Sequence, residues 1–269
     1  MDKTQLIDKF SSNAEQKILL SHIYDLTVRR DDRNVITVSD FLSENDVNTV
    51  KTFLLGISCR NFMLFGGYSD AERQCAVFLP DYFTEDDVID SPSLAEMTFV
   101  KATVSKFDAQ SADISHRDVL GSLMGLGIKR DSVGDIIATG SEAVFLIKSK
   151  LSEFIKRELT KISRYNVTVD LYDNYQLAPK TDFIEDSDTV ASMRLDAVAS
   201  SVFSISRTST VDAVSSGLVT VNGAVASKPD MTVSEGDKLT IRGKGKAVIV
   251  KLDGFSKKGR TRFVFRKYK

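Results

Sequence analysis

Apolar residues recur at helical spacing in the first part of the chain and then give way to strand-like alternation. One buried helical face is predicted from four residues, Ile18, Leu19, Ile23 and Leu26. Ser43 and Asp46 resemble a capping box that begins a second helix, and Gly56 is expected to end it. Residues 61–80 predict two strands joined by a glycine-containing turn. We therefore predict a small α+β domain over residues 1–92.

Residues 96–172 alternate between the two patterns in a defined order. A strand in "TFVKATVSKF" precedes a helix that begins at Ser115 or His116, and two strands follow in "VGDIIAT" and "EAVFLIK". A second helical face is predicted from Leu151, Phe154, Ile155, Leu159 and Ile162, before the strand "VTVDLYD". This βαββαβ order predicts a ferredoxin-like domain, an arrangement that many RNA-recognition domains share. Because its third strand has one aromatic residue, we do not expect this sheet to stack bases.

A polar stretch without periodicity, residues 173–188, is expected to link this domain to a third, residues 189–269. The third domain opens with an amphipathic helix whose apolar positions are Met193, Leu195, Val198 and Val202. Either Ser206 or Ser209 is expected to cap a second helix. Asn222-Gly223 predicts a tight hairpin turn, because both residues tolerate positive φ. The expected fold is α+β, in three small domains.

Charge divides the chain into an acidic front and a basic end. The 269 residues carry a net charge of −1, yet from residue 190 onward 15 Lys+Arg face 6 Asp+Glu, a net of +9, which leaves −10 on the first 189. Such a basic end favours a polyanionic partner. No apolar run approaches the roughly 18 residues of a membrane span. The N-terminus has no apolar signal segment, so we predict a soluble cytoplasmic protein without membrane contact.

The basic residues of the third domain lie at predicted helix ends and turns, where we expect them to contact RNA phosphates. The candidates are Arg194, Arg207, Lys228, Arg242, Lys244 and Lys246, with Lys257, Lys258 and Arg260 in a basic C-terminal hairpin. Glycines between several of them let a phosphate approach the backbone. For Arg194, an ion pair with Asp196 or another acid is the competing interpretation. In the middle domain, Lys129 and Arg130 are either solvated charges or a second RNA contact.

The segment "MRLDAVAS…ISRTSTVDAVSSGLVTVNGAVASKPDMTVSEGDKLTIRGKG" resembles the S4 domain, an RNA-binding module. The likeness covers about 55 residues, and RLD, SR, G-x-V-x-VNG, K-P, GD and R-G-x-G occur in order. It implies that two helices form an L-shaped surface that binds structured RNA. The binding residues that it implies are Arg194, Ser206, Arg207, Thr208, Asn222, Lys228 and Arg242.

The whole chain, including its domain order, resembles the YlmH family of bacterial proteins, also described as cell-division cluster products. The likeness rests on "GGYSDAER", "LMGLGIKRDSVGDI" and an S4 module followed by "KLDGFSKKGRTRFVFRKYK". It implies a protein of ribosome-associated quality control that binds rRNA and tRNA on a large (50S) subunit carrying obstructed peptidyl-tRNA. Other quality-control factors would be its further partners. We expect a monomer.

Residues that catalysis or metal binding would need do not occur at useful spacing. His22 and His116 lack partners at metal-ligand or triad spacing, and Cys59 and Cys75 are interpreted as small buried residues. Neither a tRNA-synthetase signature nor a glycine-rich cofactor turn after a strand is present. The acids of residues 84–90 are expected to begin a helix rather than bind a cation.

We therefore predict a non-catalytic RNA-binding protein with no catalytic residue, metal or cofactor. Two alternatives stay open. One is an RNA-modifying enzyme whose active site lies in residues 1–172 and whose S4 module selects the RNA. The other is a cell-division scaffold that binds only proteins.

Overall fold

The chain folds into two compact units of mixed helix and sheet, Met1–Pro179 (unit 1) and Lys180–Lys269 (unit 2). A computed structural model describes residues 2–68, 71–173 and 183–268. Residues 174–182 of the predicted linker lie outside the described residues, as do residues 69–70 within "GGYSDAER". Each unit has its own sheets and its own hydrophobic core.

The first half of unit 1 packs helices against a small sheet. Its helices are α1 (Lys3–Phe10), α2 (Ala14–Arg33), α3 (Glu44–Gly56) and α4 (Glu85–Asp90). Its strands, antiparallel in the order β1-β3-β2, are β1 (Thr37–Val38), β2 (Phe62–Phe65) and β3 (Cys75–Phe78). Ser43 caps α3 by accepting a hydrogen bond from the Asp46 N–H, and Thr84 begins α4 in a full capping box. The acids of residues 84–90 therefore begin a helix, as predicted.

The second half of unit 1 has the predicted βαββαβ arrangement. Its elements are β4 (Met97–Val104), α5 (His116–Gly125), β5 (Val133–Thr139), β6 (Glu142–Lys148), α6 (Ser152–Glu158), β7 (Lys161–Ile162) and β8 (Tyr165–Tyr172). The sheet order is β5-β6-β4-β8-β7 and each pair is antiparallel. Each helical crossover thus joins two strands that flank a third, which is the ferredoxin-like topology.

The two halves of unit 1 share a hydrophobic cluster. Phe41 and Val77 from the first half belong to the same cluster as Phe99 and Leu146 from the second. Each large apolar side chain of this kind contributes roughly 1.5–3 kcal/mol when it leaves water. Because separating the halves would expose these side chains, residues 1–92 and 96–172 pack together in one compact unit.

Two helical predictions in unit 1 need correction. Ile18 is 73% exposed, because the buried face of α2 runs through Leu20 together with the predicted Ile23 and Leu26. The last two residues of the predicted second face, Leu159 and Ile162, lie beyond the end of α6. Both are buried all the same, since the chain turns back into β7 against the same core. Apolar spacing alone does not separate a helix end from the strand that follows it.

Unit 2 packs two short helices on one face of a six-stranded antiparallel sheet. The helices are α7 (Leu195–Val202) and α8 (Arg207–Ser215). The strands are β9 (Phe183–Val190), β10 (Val219–Val221), β11 (Ala224–Val225), β12 (Lys238–Ile241), β13 (Gly245–Phe255) and β14 (Thr261–Tyr268). Their order is β11-β10-β12-β13-β14-β9. The core between helices and sheet includes Leu195, Val198, Leu239, Ile249 and Phe263.

The sheet of unit 2 begins earlier than predicted. Residues 183–188, assigned to the linker from the sequence, form most of β9, which pairs with β14 along its length. Edge-strand pairing uses backbone groups, and most β9 side chains are exposed, so no apolar alternation marks the strand. The hairpin between β10 and β11 forms as predicted, with φ of 52° at Asn222 and 79° at Gly223.

Candidate nucleic-acid interface

A buried carboxylate holds two exposed arginines where the helices of unit 2 begin. The side chain of Asp196 is 7% exposed, and it accepts a hydrogen bond from Arg207 Nη2 at 2.7 Å. It also accepts from Arg194, whose Nε and Nη2 lie 3.2 and 3.3 Å from its oxygens. The arginine side chains stay 45% (Arg194) and 59% (Arg207) exposed. Both guanidinium groups are thus held by the protein and open to a ligand.

The start of α7 places this carboxylate. Arg194 is the N-cap residue, just outside the helix that the sequence assigns to it, and Asp196 lies in the first turn, where the helix dipole favours a negative charge. The Asp196 N–H donates to the carbonyl of Pro229 at 2.8 Å. Lys228 precedes that proline and is exposed. The predicted contact Lys228 therefore lies on a segment bonded to the start of α7.

The start of α8 places the second arginine. Ser206 accepts a hydrogen bond from the Ser209 N–H at 3.0 Å, which makes Ser206 the cap among the two candidates. Arg207 is then the first helical residue and Thr208 the second, and both are exposed. The first N–H groups of a helix have no partner within it, so anions are favoured here.

The ion pairs set the protonation of Asp196. Burial by itself raises the pKa of this carboxyl, but hydrogen bonds from Arg194 and Arg207 outweigh it, and the pKa lies below its usual value. The group is therefore ionised at neutral pH. The ion-pair interpretation of Arg194 is confirmed, and its guanidinium stays exposed beside the pair.

Arg260 joins this region from the turn between β13 and β14. It lines the same cleft of about 310 Å³ as Arg207. Its Nη2 donates to the Thr189 carbonyl at 2.6 Å and its Nε to Thr189 Oγ1 at 3.2 Å, which ties it to β9. We call Arg194, Asp196, Arg207 and Arg260 the arginine cluster.

Of the remaining predicted RNA contacts of unit 2, Lys257 and Lys258 lie in the same turn as Arg260, and the others lie on different turns and strands. Exposed turns between strands hold Arg242, Lys244, Lys257 and Lys258. The Arg242 N–H donates to the carbonyl of Leu218 at 2.9 Å, so this turn lies beyond the C-terminal end of α8. Lys246 follows on β13. RNA contact by these residues stays a prediction, and it would involve more than one side of the unit.

Asn222 has its polar atoms engaged within the hairpin. Its Oδ1 accepts from the Lys238 N–H at 2.9 Å, and its Nδ2 donates to Asp237 Oδ1 at 2.8 Å. These bonds tie the β10–β11 turn to the start of β12. A direct RNA contact by Asn222 stays a prediction, and the structure gives the residue a clear role in the turn.

In unit 1 the two motifs that carry the whole-chain resemblance meet at Asp135. Its carboxylate accepts hydrogen bonds from the Tyr68 hydroxyl and the Glu72 N–H, both at 2.7 Å, and from the Arg73 N–H at 3.0 Å. Sequence spacing did not reveal this contact, since the partners lie 62 to 67 positions apart. The motif residues therefore join the two halves of unit 1.

Arg130 is part of the same junction. Its Nη1 donates to the carbonyls of Val133 at 2.5 Å and Gly134 at 3.1 Å, while Arg73 Nε donates to the Val133 carbonyl at 3.0 Å. Burial, followed by the nearby charge of Arg73, lowers the pKa of Arg130 to about 10. Lys129, by contrast, is exposed. Of the two predicted RNA contacts in this loop, Arg130 therefore bonds to the protein's own backbone, and Lys129 is open to solvent.

Arg130→Gln is expected to lower the free energy of unfolding of unit 1 by about 1–2 kcal/mol, because two backbone carbonyls lose a charged donor. Lys129→Glu, at an exposed position, is expected to change it by less than about 0.5 kcal/mol. Urea unfolding of both variants checks this. If they are equally stable, the bonds of Arg130 do not hold the junction. If Arg130→Gln is less stable, as expected, only Lys129→Glu tests an RNA contact of this loop cleanly.

The described part of the chain contains no cluster of metal ligands and no thiol with a lowered pKa. No three His, Cys, Asp or Glu side chains within it are close enough to hold a metal ion. Cys75 is buried and Cys59 half-buried, and burial raises the pKa of both thiols, that of Cys75 to about 12. Both are thus poor nucleophiles at neutral pH. No described helix is long and apolar enough to cross a membrane.

Comparisons with known proteins agree with this organisation. A family model described as "Putative RNA-binding domain in YlmH" matches residues 97–176, and the S4 domain model matches residues 193–239. The chain is 32% identical over 233 residues to "Ribosome-associated protein quality control protein P2" of Bacillus subtilis (strain 168), covering 86% of this chain and 87% of that protein.

A solved structure titled "Cell division protein ylmH from Streptococcus pneumoniae" shows a weak likeness. Its TM-score is 0.46 at 20% identity, over 60% of this chain and 93% of that one. The relative of 32% identity spans most of both chains, and the matched models fall on the ferredoxin-like half of unit 1 and on unit 2. The chain therefore belongs to the YlmH family of S4-domain RNA-binding proteins.

Proposed function

We propose that this protein binds structured rRNA and tRNA on the large ribosomal subunit carrying an obstructed peptidyl-tRNA, and acts there in ribosome-associated quality control without catalysing a reaction. It would act as a cytoplasmic monomer, with other quality-control factors as its protein partners. The name of the Bacillus subtilis relative supports the ribosomal part of this proposal.

The observation that carries the proposal is the arginine cluster. Asp196 holds Arg194 and Arg207 in place at the starts of two helices, so little side-chain freedom is lost when they meet phosphates. An arginine fork can also bind phosphate through two parallel hydrogen bonds. A rigid, cationic surface of this kind suits the fixed phosphate positions of folded RNA better than a mobile basic tail would.

The front of the chain has a different part in the proposal. Its acidic charge disfavours extended contact with RNA phosphates, and its family motifs form a structural junction around Asp135. We therefore assign unit 1 to positioning the protein or recruiting a partner, with Lys129 as the candidate for a local RNA contact.

Co-sedimentation with 30S, 50S and 70S particles over a salt series tests the proposal. We expect selective binding to 50S particles that weakens with salt, with a slope of roughly −0.9 in log K against log salt for each phosphate contact. Equal or absent binding to all particles would contradict the proposal and direct the search to free tRNA or proteins.

Nucleoside analysis of rRNA and tRNA from a deletion strain tests the non-catalytic part. We expect the same modified nucleosides as in the parent strain. Loss of one modified nucleoside would instead identify the protein as an RNA-modifying enzyme.

A further inference from the structure

The face of the unit 2 sheet that points away from α7 and α8 differs in composition from the apolar face that the helices cover. Side chains alternate between the faces of a strand, and residues directly opposite each other on neighbouring strands share a face. Leu239, Ala247, Ile249, Phe263 and Phe265 are buried beneath the helices. The positions between them therefore form the opposite face, here called the outer face.

Basic side chains predominate on the outer face. Strand pairing and burial assign to it the cations Lys238, Lys246, Lys251, Arg262 and Arg266. The acids that the same register assigns to it are Glu185 on the edge strand and Asp253 near the far end of β13, and these pair with Arg266 at 2.8 Å and Lys251 at 3.5 Å. The outer face thus has a positive excess, as RNA binding requires.

Two aromatic rings lie together at one corner of this face. Tyr268 on β14 is directly opposite Phe183 on β9, so the two side chains are cross-strand neighbours. The Arg266 guanidinium lies 4.5 Å from the centre of the Phe183 ring, which is still 45% exposed. Lys246 lies across from Tyr268 on the other side of β14, because Ala247 pairs with Lys267. We call Phe183, Tyr268, Lys246 and Arg266 the aromatic corner.

We propose that the aromatic corner binds a single-stranded RNA segment by stacking a base on Phe183 and Tyr268 and pairing its phosphates with Lys246 and Arg266. Aromatic rings interleaved with cations on an open sheet face are how proteins hold unpaired nucleotides, because every base has a π-face to stack. Val248 and Val264 share this face but are half-buried, so its exposed charge favours a polyanion over an apolar protein surface. This inference rests on the proposed RNA-binding function, and it adds a site on the opposite face of unit 2 from the helices.

The consequence is that unit 2 has two RNA-binding faces. The arginine cluster lies at the starts of α7 and α8, on the helix side of the sheet. The aromatic corner lies on the outer face, with the sheet between them. A folded RNA element on one face and an unpaired segment on the other could then be held at the same time.

The test measures binding of the full-length protein to a short fluorescein-labelled oligouridine, which has no secondary structure. In the Phe183→Leu/Lys246→Gln variant we expect the Kd to rise about twentyfold through loss of stacking and one phosphate contact. The slope of log K against log salt should fall by about 0.7, the value for one contact to a single strand.

The chain offers a matched control. Lys106→Gln/Phe107→Leu makes the same chemical changes at exposed residues of unit 1, where Phe107 is 96% exposed. We expect its Kd and salt slope to equal those of the wild type. If the two double variants bind oligouridine equally well, the proposal is overturned, which is also the result expected if the corner binds an acidic protein.

Crosslinking of wild-type protein to 5-iodouridine RNA gives a readout that does not depend on a variant's folding. We expect crosslinked peptides from β9 or β14, and crosslinks confined to peptides of α7 and α8 would overturn the proposal.

Co-sedimentation separates the proposed ribosomal function from the proposed aromatic corner. If the wild type binds oligouridine through the corner but does not sediment with 50S particles, the ribosomal function fails and the corner stands. If it sediments and the corner variant matches its control in oligouridine binding, the corner alone fails.

Discussion

Replacing Arg194 and Arg207 together with glutamine is expected to weaken binding to structured RNA by about a hundredfold at physiological salt. Each residue offers an exposed guanidinium fixed by Asp196, and a hydrogen bond between charged groups contributes about 1.5 kcal/mol or more. The salt dependence should change too, with the slope of log K against log salt reduced by about 2. Filter binding to a structured rRNA fragment over a salt series measures both quantities. Melting curves check that unit 2 is folded at the assay temperature.

Asp196→Asn separates positioned arginines from simple positive charge. The change removes a negative charge, so an interface that depends only on net charge should bind RNA more tightly. We expect binding about fivefold weaker instead, because Arg194 and Arg207 lose the carboxylate that orients them. Tighter binding by this variant would rule out a positioning role for Asp196.

Lowering the pH should destabilise unit 2 of the wild type by protonating Asp196. The folded pKa of Asp196 is lowered, so its ion pairs stabilise unit 2 above the unfolded pKa of about 4 and lose this effect as pH falls through the folded value. Asp196→Asn lacks a titrating group at this position. Its stability should therefore depend less on pH over that acidic range.

Asp135→Ala is expected to lower the free energy of unfolding of unit 1 by about 3 kcal/mol. The substitution leaves the N–H groups of Glu72 and Arg73 without their carboxylate and removes the acceptor of the Tyr68 hydroxyl. Charged hydrogen bonds contribute about 1.5–3 kcal/mol each, and three that share one acceptor do not add fully. For a unit of this size the melting temperature should fall by about 6–12 °C.

Calorimetry of the full-length protein can test this prediction, with Asp131→Ala, an exposed acid in the short turn before β5, as the control. We expect the control to melt like the wild type. If Asp135→Ala also melts like the wild type, the junction is held by the shared hydrophobic cluster, and the motif residues must be explained by binding instead.

Local patterns in the sequence predicted the elements well where a single residue type determines the geometry. Asn222-Gly223 forms its hairpin turn because few other residue pairs adopt two positive φ values. Ser43 and Ser115 begin helices because a hydroxyl can accept a free N–H group. The βαββαβ order also followed from alternating periods, although the end of α6 did not.

Long-range contacts of polar groups could not be predicted in the same way. Asp135 has no sequence neighbour that marks it as an acceptor for a loop more than 60 positions away. Arg130 looked like a surface charge, and its burial depends on how the two halves of unit 1 meet. The outer face could not be predicted either, because β9 lacks apolar alternation. Only its pairing with β14 determines which β9 side chains lie on that face.

The pairing of β9 with β14 also sets the order in which unit 2 can fold. The two strands are neighbours in the sheet but lie at opposite ends of the amino-acid sequence of unit 2. The Glu185–Arg266 pair links residues 81 positions apart. Contacts of such high sequence separation form slowly, because the loop between them must be closed before the contacts stabilise it. During synthesis, β9 is made first, and its backbone stays unpaired until β14 is made, after both helices and four other strands. The helices can therefore form early, but the outer face is complete only when the chain has been made through Tyr268.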